Sequence, residues 1–163
     1  MRQQVWNGIL DANHATRYYQ LLANKLRRRH LVISAVLAVS ASGAAVSLLA
    51  QLPDALSAIV LFITACLSIW LYFADYSGKA TAAGLFSDQY RDLETAWKQL
   101  WYDEPTIEAI ISLQERDNKI AAGYELDIDE DLNAKAQQDA YATVPGEFDY
   151  QEGGETSPEP RPA

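Results

Sequence analysis

Two long apolar runs dominate the pattern of hydrophobic and polar positions along the chain. Residues 31–50 and 55–74 form two stretches of 20 residues, and neither contains an Asp, Glu, Lys, Arg or His. Twenty helical residues span ~30 Å, the thickness of the hydrocarbon core of a bilayer. A helix in a small soluble domain is rarely apolar on all sides. The pattern therefore predicts two membrane-spanning helices, joined by the short turn at 51–54 into a hairpin.

Amphipathic stretches lie on both sides of the apolar runs. A helix predicted over residues 3–29 has its apolar positions at steps of four and eight, on one face: Trp6, Leu10, Tyr18, Leu22 and Leu26. A helix after the second run has the apolar face Phe86, Tyr90, Leu93, Trp97 and Leu100/Trp101. That helix is expected to end at 103–105, because Pro105 forces a break or a new first turn.

Two further helices are predicted in the C-terminal part. One covers residues 106–122 and ends at Gly123, and its apolar side is Ile107, Ile110, Ile111 and Leu113. A shorter helix over 129–141 follows from the content of Ala, Gln and Lys. Residues 145–163 contain almost no bulky aliphatic side chain, so they are predicted to form a flexible segment without a core.

The predicted fold is an all-α membrane protein, a two-helix transmembrane hairpin with a small helical cytoplasmic domain. Its predicted parts are an amphipathic cytoplasmic helix (1–30), the hairpin (31–74), a helical cytoplasmic region (75–124) and an acidic tail (125–163).

Four cations stand immediately before the first apolar run: Lys25, Arg27, Arg28 and Arg29. The turn at 51–54 contains no Lys or Arg, so the positive-inside rule places the basic flank and both termini in the cytoplasm. The same cations would attract anionic lipid head groups. The alternative is a signal peptide cleaved near residues 40–45, against which the 30-residue polar lead argues.

The net charge of −9 is concentrated in the tail. Residues 125–163 contain eleven acids against two cations, whereas residues 1–30 contain six Lys or Arg against the single Asp11. The overall acidity therefore does not exclude an anionic ligand elsewhere on the chain.

The residue types needed for common enzyme chemistry are sparse. The chain has two histidines, His14 and His30, and its single cysteine, Cys66, lies within the second apolar run. No phosphate-binding glycine loop, Ser-His-Asp set or zinc motif occurs. We therefore expect no enzymatic activity, no metal site and no cofactor.

Small and polar residues form a stripe along each apolar run. The positions on the two stripes are Ser40, Gly43, Ser47 and Gln51 in the first run, and Ser57, Leu61, Thr64 and Ser68 in the second. One interpretation is that a stripe lines a pore in a homo-oligomer, for which four subunits would supply eight helices. The other is helix–helix packing, in which the hydroxyl groups bond to their own backbone.

The arrangement resembles the SLATT family, the two-transmembrane effectors of bacterial anti-phage systems. The resemblance rests on the basic end of the first helix at 25–29, the turn at Pro53-Asp54, the segment 97–101 that closes the helix after the hairpin, and the segment 105–118. It implies an effector that assembles in the inner membrane and opens a pore that depolarises the infected cell, an abortive infection response. It also implies a controlling nucleotide made by a partner nucleotidyltransferase, or a short DNA oligomer as in the Hailong type.

A nucleotide ligand requires cations for its phosphates and aromatic rings for its bases. The candidate ligand-binding residues are Arg2, Arg17, Arg91, Lys98, Trp97 and Trp101, with Trp6, Tyr18 and Tyr19 as further aromatic candidates. The alternative is that these rings form the core and the cations its solvated surface.

Three functions are compatible with these patterns. The leading one is an oligomeric, ligand-gated pore that acts as an anti-phage defence effector. The second is a membrane anchor or scaffold that presents the acidic tail to a soluble partner. The third is a subunit of a larger transporter.

Overall fold

The computed structural model describes residues 1–40, 42, 51, 53–123 and 128–148, and this part of the chain is all-helical, without a β-strand. The helices are α1 (Arg2–Ser40), α2 (Asp54–Ala74), α3 (Tyr76–Tyr102), α4 (Ile107–Ala121) and α5 (Glu130–Glu147). The chain divides into two compact units. The packed unit comprises Met1–Leu22 and Ala82–Ala163, and the apolar unit comprises Ala23–Thr81.

Aromatic residues from α1 and α3, together with Phe148 after α5, form the centre of the packed unit. The rings of Trp6, Trp101 and Phe148 are in mutual contact, with each pair of ring centroids 5.8 to 5.9 Å apart. The edge-on and tilted angles between them are those that aromatic quadrupoles favour. Other buried members of this core are Val5, Ile9, Ala12, Tyr90, Leu93, Trp97, Ile110, Ile120 and Val144.

The helix ends follow local sequence signals. The Thr106 hydroxyl accepts a hydrogen bond from the Ala109 N–H at 3.2 Å, so Thr106 caps the start of α4 directly after Pro105. Asp129 caps α5 in the same way, through the Leu132 N–H at 3.3 Å. The helices predicted over 106–122 and 129–141 are therefore confirmed, and the second one is longer than predicted.

The end of α5 corrects the sequence analysis. Residues 145–147 are helical although Pro145 lies inside the helix, and Phe148 is buried, so the segment after 144 does contribute to a core. A proline in the last turn removes only one backbone donor, and the burial of Val144 and Phe148 holds that turn in place. The rest of the predicted flexible segment, 149–163, lies outside the described residues.

The apolar side of α4 also differs from the prediction. Ile107 and Ile111 are 65% and 48% exposed, whereas Ile110 and Ile120 are buried and Leu113 packs against the core. The inner face therefore follows positions 110, 113, 117 and 120. This register places Asp117 on the inner side of α4, and it leaves two isoleucines in solvent.

The predicted apolar faces of α1 and α3 are confirmed. Trp6, Tyr18, Leu22 and Leu26 are buried on α1, and Tyr90, Leu93, Trp97 and Trp101 are buried on α3. Phe86 and Leu100 pack against the same core. A step of three or four residues therefore identified the packing surface wherever the run of apolar positions was long.

The apolar unit contains α2, whose large side chains point outward. Phe62 and Phe73 are 70% and 76% exposed, and no part of the most apolar 18-residue window, of mean hydropathy 2.2, is buried. Within the described residues, one helical segment, Ala55–Tyr102, is long and apolar enough to cross a membrane by its length and composition. The first predicted span is described only to Ser40 in α1 and at Ser42, and its remaining residues lie outside the described part.

Asp75 separates α2 from α3. Its backbone is left-handed, with φ 41° and ψ 46°, a conformation that is unfavourable for a residue with a side chain. Its carboxylate accepts a hydrogen bond from the Gly78 N–H at 3.1 Å, and its carbonyl accepts one from the Lys79 N–H at 3.0 Å. Asp75 thus ends one helix and caps the next.

Candidate functional site: a basic and aromatic groove

A groove between α3 and α4 is the strongest candidate site in the packed unit. It has a volume of about 620 Å³, within the range of small-molecule sites. Helix α3 contributes Phe86 and Gln89, α4 contributes Arg116, Lys119 and Ile120, and Gly123 closes one end. The floor is therefore apolar and aromatic, and the rim is cationic and amide-bearing.

Phe86 is held in the groove by aromatic contacts behind it. Its ring lies on Tyr19 of α1 with centroids 5.3 Å apart, and Tyr19 in turn stacks on Tyr90 at 5.6 Å with an interplanar angle of 10°. Tyr18 meets Tyr19 edge-on at 5.1 Å. This row of rings fixes the orientation of Phe86. The Phe86 side chain therefore loses little conformational entropy when a ligand binds in the groove.

Arg116 and Lys119 are three residues apart on α4 and therefore share a face. In the part of the chain that the structure describes, neither side chain has an ion-pair partner, and no acidic residue lines the groove. Both cations are exposed. They are thus available to an anion without first breaking an internal ion pair.

One acidic residue of α4, Asp117, lies on the inner side of the helix, whereas Arg116 and Lys119 are on its exposed surface. Burial raises the pKa of Asp117 above its ordinary value of 3.8, as does the nearby charge of Asp11, while the hydrogen bond with Tyr90 opposes the shift. Burial, with the Asp117 charge as a further cause, raises the pKa of Tyr90 to about 12. Burial also raises the pKa of Asp11, and His14 opposes that shift. Because their pKa values are raised, these two carboxyl groups become neutral at a higher pH than ordinary carboxyl groups do.

The two tryptophans among the candidate ligand-binding residues lie in the core. Trp97 and Trp101 are each 3% exposed, and the Trp97 ring packs against the α1 backbone at Gly8. Trp6, Tyr18 and Tyr19 also belong to the packed interior or border it. Their positions agree with the alternative interpretation of these rings as core residues.

The candidate cations are dispersed over the packed unit. Lys98 pairs with Glu94 at 2.8 Å, Arg17 donates to the Asn13 amide oxygen at 2.7 Å, and Arg91 pairs with Asp88 at 3.3 Å. Arg2 is exposed at the start of α1. None of these four cations lines the groove, and their role in binding stays a prediction.

The predicted pore-lining residues fall into three groups. Ser40, Ser57 and Thr64 are half-buried, whereas Gln51, Leu61 and Ser68 are exposed; Gly43 and Ser47 lie outside the described residues. Ser40, Thr64 and Ser68 donate hydrogen bonds to the backbone carbonyl four residues earlier, each at 2.9 Å. That bonding is what the packing interpretation expects, and it satisfies the hydroxyl hydrogen within an apolar helix.

The basic flank is solvent-accessible at three of its four positions. Arg27, Arg28 and Arg29 are exposed and Lys25 is half-buried. A second cavity, of about 630 Å³, lies in the apolar unit and is lined in part by His30, Tyr72 and Asp75. Its single acid and single histidine give it no clear preference for either charge.

The described residues contain no group of three or more His, Cys, Asp or Glu placed to hold a metal ion. Comparisons of the chain with protein-family models, with curated proteins and with solved structures give no match.

Sequence reasoning missed the cations of the groove. A sequence signal did exist, because Arg116 and Lys119 lie at i and i+3 on the polar side of a predicted helix. The aromatic partner is on another helix, and only the packing of α3 against α4 brings Phe86 to them. The periodicity of apolar positions within one helix does not show which residues of a second helix will lie beside it.

Proposed function

We propose that the chain is the subunit of an oligomeric membrane pore that acts as a ligand-gated effector of bacterial anti-phage defence. The observation that carries the proposal is the exposure of α2. Most of its large apolar side chains are exposed, among them Phe62, Trp70 and Phe73, and no residue of its most apolar stretch is fully buried. At about 25 cal/mol per Å² of apolar surface, such a face is strongly unfavourable in water and requires lipid or other subunits around it.

The less exposed positions of the apolar unit support a hairpin. On α2 they recur on one face, at Ser57, Thr64, Leu67 and Leu71. On the last part of α1 they are Ile33, Ser34, Leu37 and Ser40. Small and hydroxyl-bearing residues at such positions allow close approach of helices in lipid. The two spans 31–50 and 55–74, with both termini in the cytoplasm of an inner membrane, are part of this proposal.

The outward face and the hydroxyl stripe together favour an oligomer. A hairpin alone encloses no water-filled path, so a pore requires several copies, of which four is the number we propose. The SLATT-like arrangement supports the biological role, in which opening depolarises the membrane. A nucleotide or short DNA oligomer is the proposed controlling ligand, because in some systems that such effectors belong to, a neighbouring nucleotidyltransferase makes the controlling nucleotide.

Single-channel recording of the purified chain in a planar bilayer tests the pore. Discrete current steps are expected, and Thr64→Leu on the stripe should change the conductance because it replaces a hydroxyl with a bulky apolar group. Phe62→Leu, on the outward face, is the matched control and should leave the conductance unchanged. Silence from protein shown to be inserted and oligomeric, before and after nuclease treatment and with nucleotide added, would reject the pore.

The acidic tail, residues 125–163, favours a second function, an anchor that presents this tail to a soluble partner. A stop codon used as a test has to follow Phe148, because an earlier stop removes α5 and the buried Val144 and Phe148. Under the anchor hypothesis, this truncation abolishes the toxicity of the overexpressed protein in cells, and Thr64→Leu leaves that toxicity unchanged. Under the pore hypothesis, Thr64→Leu alters the toxicity and the truncation does not.

A further inference from the structure

We infer that the groove between α3 and α4 binds a nucleotide unit, with its phosphate at Arg116 and Lys119 and its base against Phe86. The biological role of such binding rests on the proposed function, in which a nucleotide controls the pore. The binding itself rests on the geometry of the groove. The same chemistry occurs in a free mononucleotide and in one unit of an oligomer, and the two sources are separated by the experiment below.

Charge makes the rim suitable for phosphate. Arg116 and Lys119 lie on one face of α4, and neither has an ion-pair partner among the described residues. The planar guanidinium group of an arginine binds a phosphate with two parallel hydrogen bonds, and a lysine adds a point charge. Among the described residues, the lining contains no carboxylate that would repel the anion.

The floor is suitable for a planar base. Phe86 is fixed from behind by Tyr19, and Ile120 extends the apolar surface beside it. A Cβ atom on Gly123 would lie 3.7 Å from the Phe86 ring, so a side chain at 123 would occupy the space next to that ring. Bases stack on aromatic rings without requiring a particular sequence. The Gln89 amide, on the same wall, offers both a donor and an acceptor to the edge of a base.

The volume of about 620 Å³ suits one nucleotide unit better than a larger ligand held as a whole. An oligomer would therefore place one unit in the groove, and its other units would extend beyond the lining residues.

A purely structural role is a sufficient explanation for Lys119 but not for Arg116. Lys119 lies in the last turn of α4, where the helix dipole favours a cation. Arg116 lies one turn earlier, where that effect has faded. Replacement of Arg116 is thus the more decisive change, and Lys119→Arg serves as the conservative variant that keeps the charge.

Calorimetric titration of the full chain in detergent at low salt tests the site. The probes are ATP, a short single-stranded DNA oligomer, adenosine and inorganic phosphate. We expect ATP or the oligomer to bind, and the stronger of the two identifies the source of the nucleotide unit. Arg116→Ala should weaken that binding roughly 10- to 100-fold, the range for a lost hydrogen bond to a charged group. Lys135→Ala, which removes an exposed cation of α5 in the same unit outside the groove, should leave it unchanged.

Phe86→Leu separates the base from the phosphate. It keeps an apolar side chain at 86 and removes the ring, so nucleotide affinity should fall roughly 5- to 100-fold. Affinity for inorganic phosphate, where it is measurable, should stay the same. A comparable loss for both probes would mean that the change distorts the groove, and it would overturn the assignment of the base to Phe86.

Three results overturn the inference. One is the absence of binding by every nucleotide probe to the folded wild-type chain. Another is unchanged affinity in Arg116→Ala, and the third is an equal loss in Lys135→Ala, which would indicate attraction by overall charge. Titration is independent of conductance, so failure here is distinguishable from failure of the pore. A chain that binds nucleotide and never conducts would support the nucleotide site and reject the pore. A chain that conducts and never binds nucleotide would support the pore and reject the nucleotide site.

Discussion

A Cβ atom on Gly8 would lie 2.5 Å from Cε2 of Trp97, because the buried indole ring packs directly on the α1 backbone at this glycine. No carbon–carbon contact in a folded protein is that short, so any side chain at position 8 requires the ring to move. Trp97 is enclosed by the core and has little freedom to do so.

Gly8→Ala should therefore destabilise the packed unit, although alanine is normally the better helix former. The expected loss in the free energy of unfolding is about 1–2 kcal/mol, as for an overpacked core. Denaturant unfolding in detergent, followed by tryptophan fluorescence, measures it. Gly84→Ala is the matched control, since a Cβ atom there meets nothing within 4 Å. It should stabilise the chain by about 0.5–1 kcal/mol, and equal effects of the two changes would contradict the close approach.

Long apolar periodicities predicted most of this fold. The faces of α1 and α3 are visible in the sequence because each repeats over several turns, and Pro105 with Thr106 marks the start of α4. Short patterns were less informative. Four apolar residues near the start of α4 predict one face, yet the inner face contains the buried Ile110 and Ile120 together with the half-buried, polar Asp117.

Features that depend on contacts between distant segments were missing from the sequence analysis. Phe148 is buried by Trp6 and Trp101, more than 40 residues away from the nearer of the two, and its local composition suggests no core. The groove has the same origin, since Phe86 and Arg116 meet only after α3 and α4 pack. Local propensity carries no information on such pairs.

The buried polar network between α1 and α3 gives a second prediction. Glu94 Oε1 accepts a hydrogen bond from the Asn13 amide at 2.8 Å and pairs with Lys98 at 2.8 Å. Glu94→Ala removes an acceptor of the Asn13 amide and the anionic partner of Lys98 in a largely buried site. The free energy of unfolding should fall by about 2–3 kcal/mol, the range for hydrogen bonds to charged groups.

Asp88→Ala is the control for this change. It breaks the Arg91–Asp88 pair, whose side chains are 55% and 69% exposed, and should cost less than about 1 kcal/mol. The same unfolding assay compares the two variants. Equal losses would mean that the Asn13–Glu94 hydrogen bond contributes no more than an exposed ion pair.

Asp117 gives a third prediction, on pH. Its pKa is raised in the folded chain, mainly by burial and further by the Asp11 charge, so the folded state binds the proton more tightly than the unfolded state. Between 3.8 and the raised value, the unfolded state carries fewer protons, and stability falls as pH rises. The loss of stability caused by ionised Asp117 is complete above its raised pKa and absent below 3.8.

Asp117→Asn should remove this dependence while keeping an oxygen that accepts from Tyr90. The variant should be more stable than the wild type at neutral pH, and the difference should vanish as pH falls toward the ordinary carboxyl pKa. Thermal unfolding at a series of pH values tests this. Asp92→Asn, an exposed change on α3, controls for the loss of one negative charge. A constant difference at all pH values would show that titration of Asp117 is not its cause.

The proposed membrane hairpin predicts a pattern of thiol labelling, for which the chain is well suited because Cys66 is its only cysteine. Cys66 lies midway along α2 and its side chain faces outward. In spheroplasts it should resist a membrane-impermeant maleimide, since the reaction requires a hydrated thiolate. Labelling should appear once the protein is denatured in detergent.

New cysteines in a Cys66→Ser background then locate the two sides of the membrane. Gln51→Cys, in the turn after the first apolar run, should react with the impermeant reagent in intact spheroplasts. Glu104→Cys, in the exposed turn between α3 and α4, should react only after permeabilisation. If both positions react from the same side, the turn does not cross the bilayer, and the hairpin topology is wrong. If neither is protected and Cys66 also reacts in spheroplasts, the outward apolar face of α2 is covered by something other than lipid.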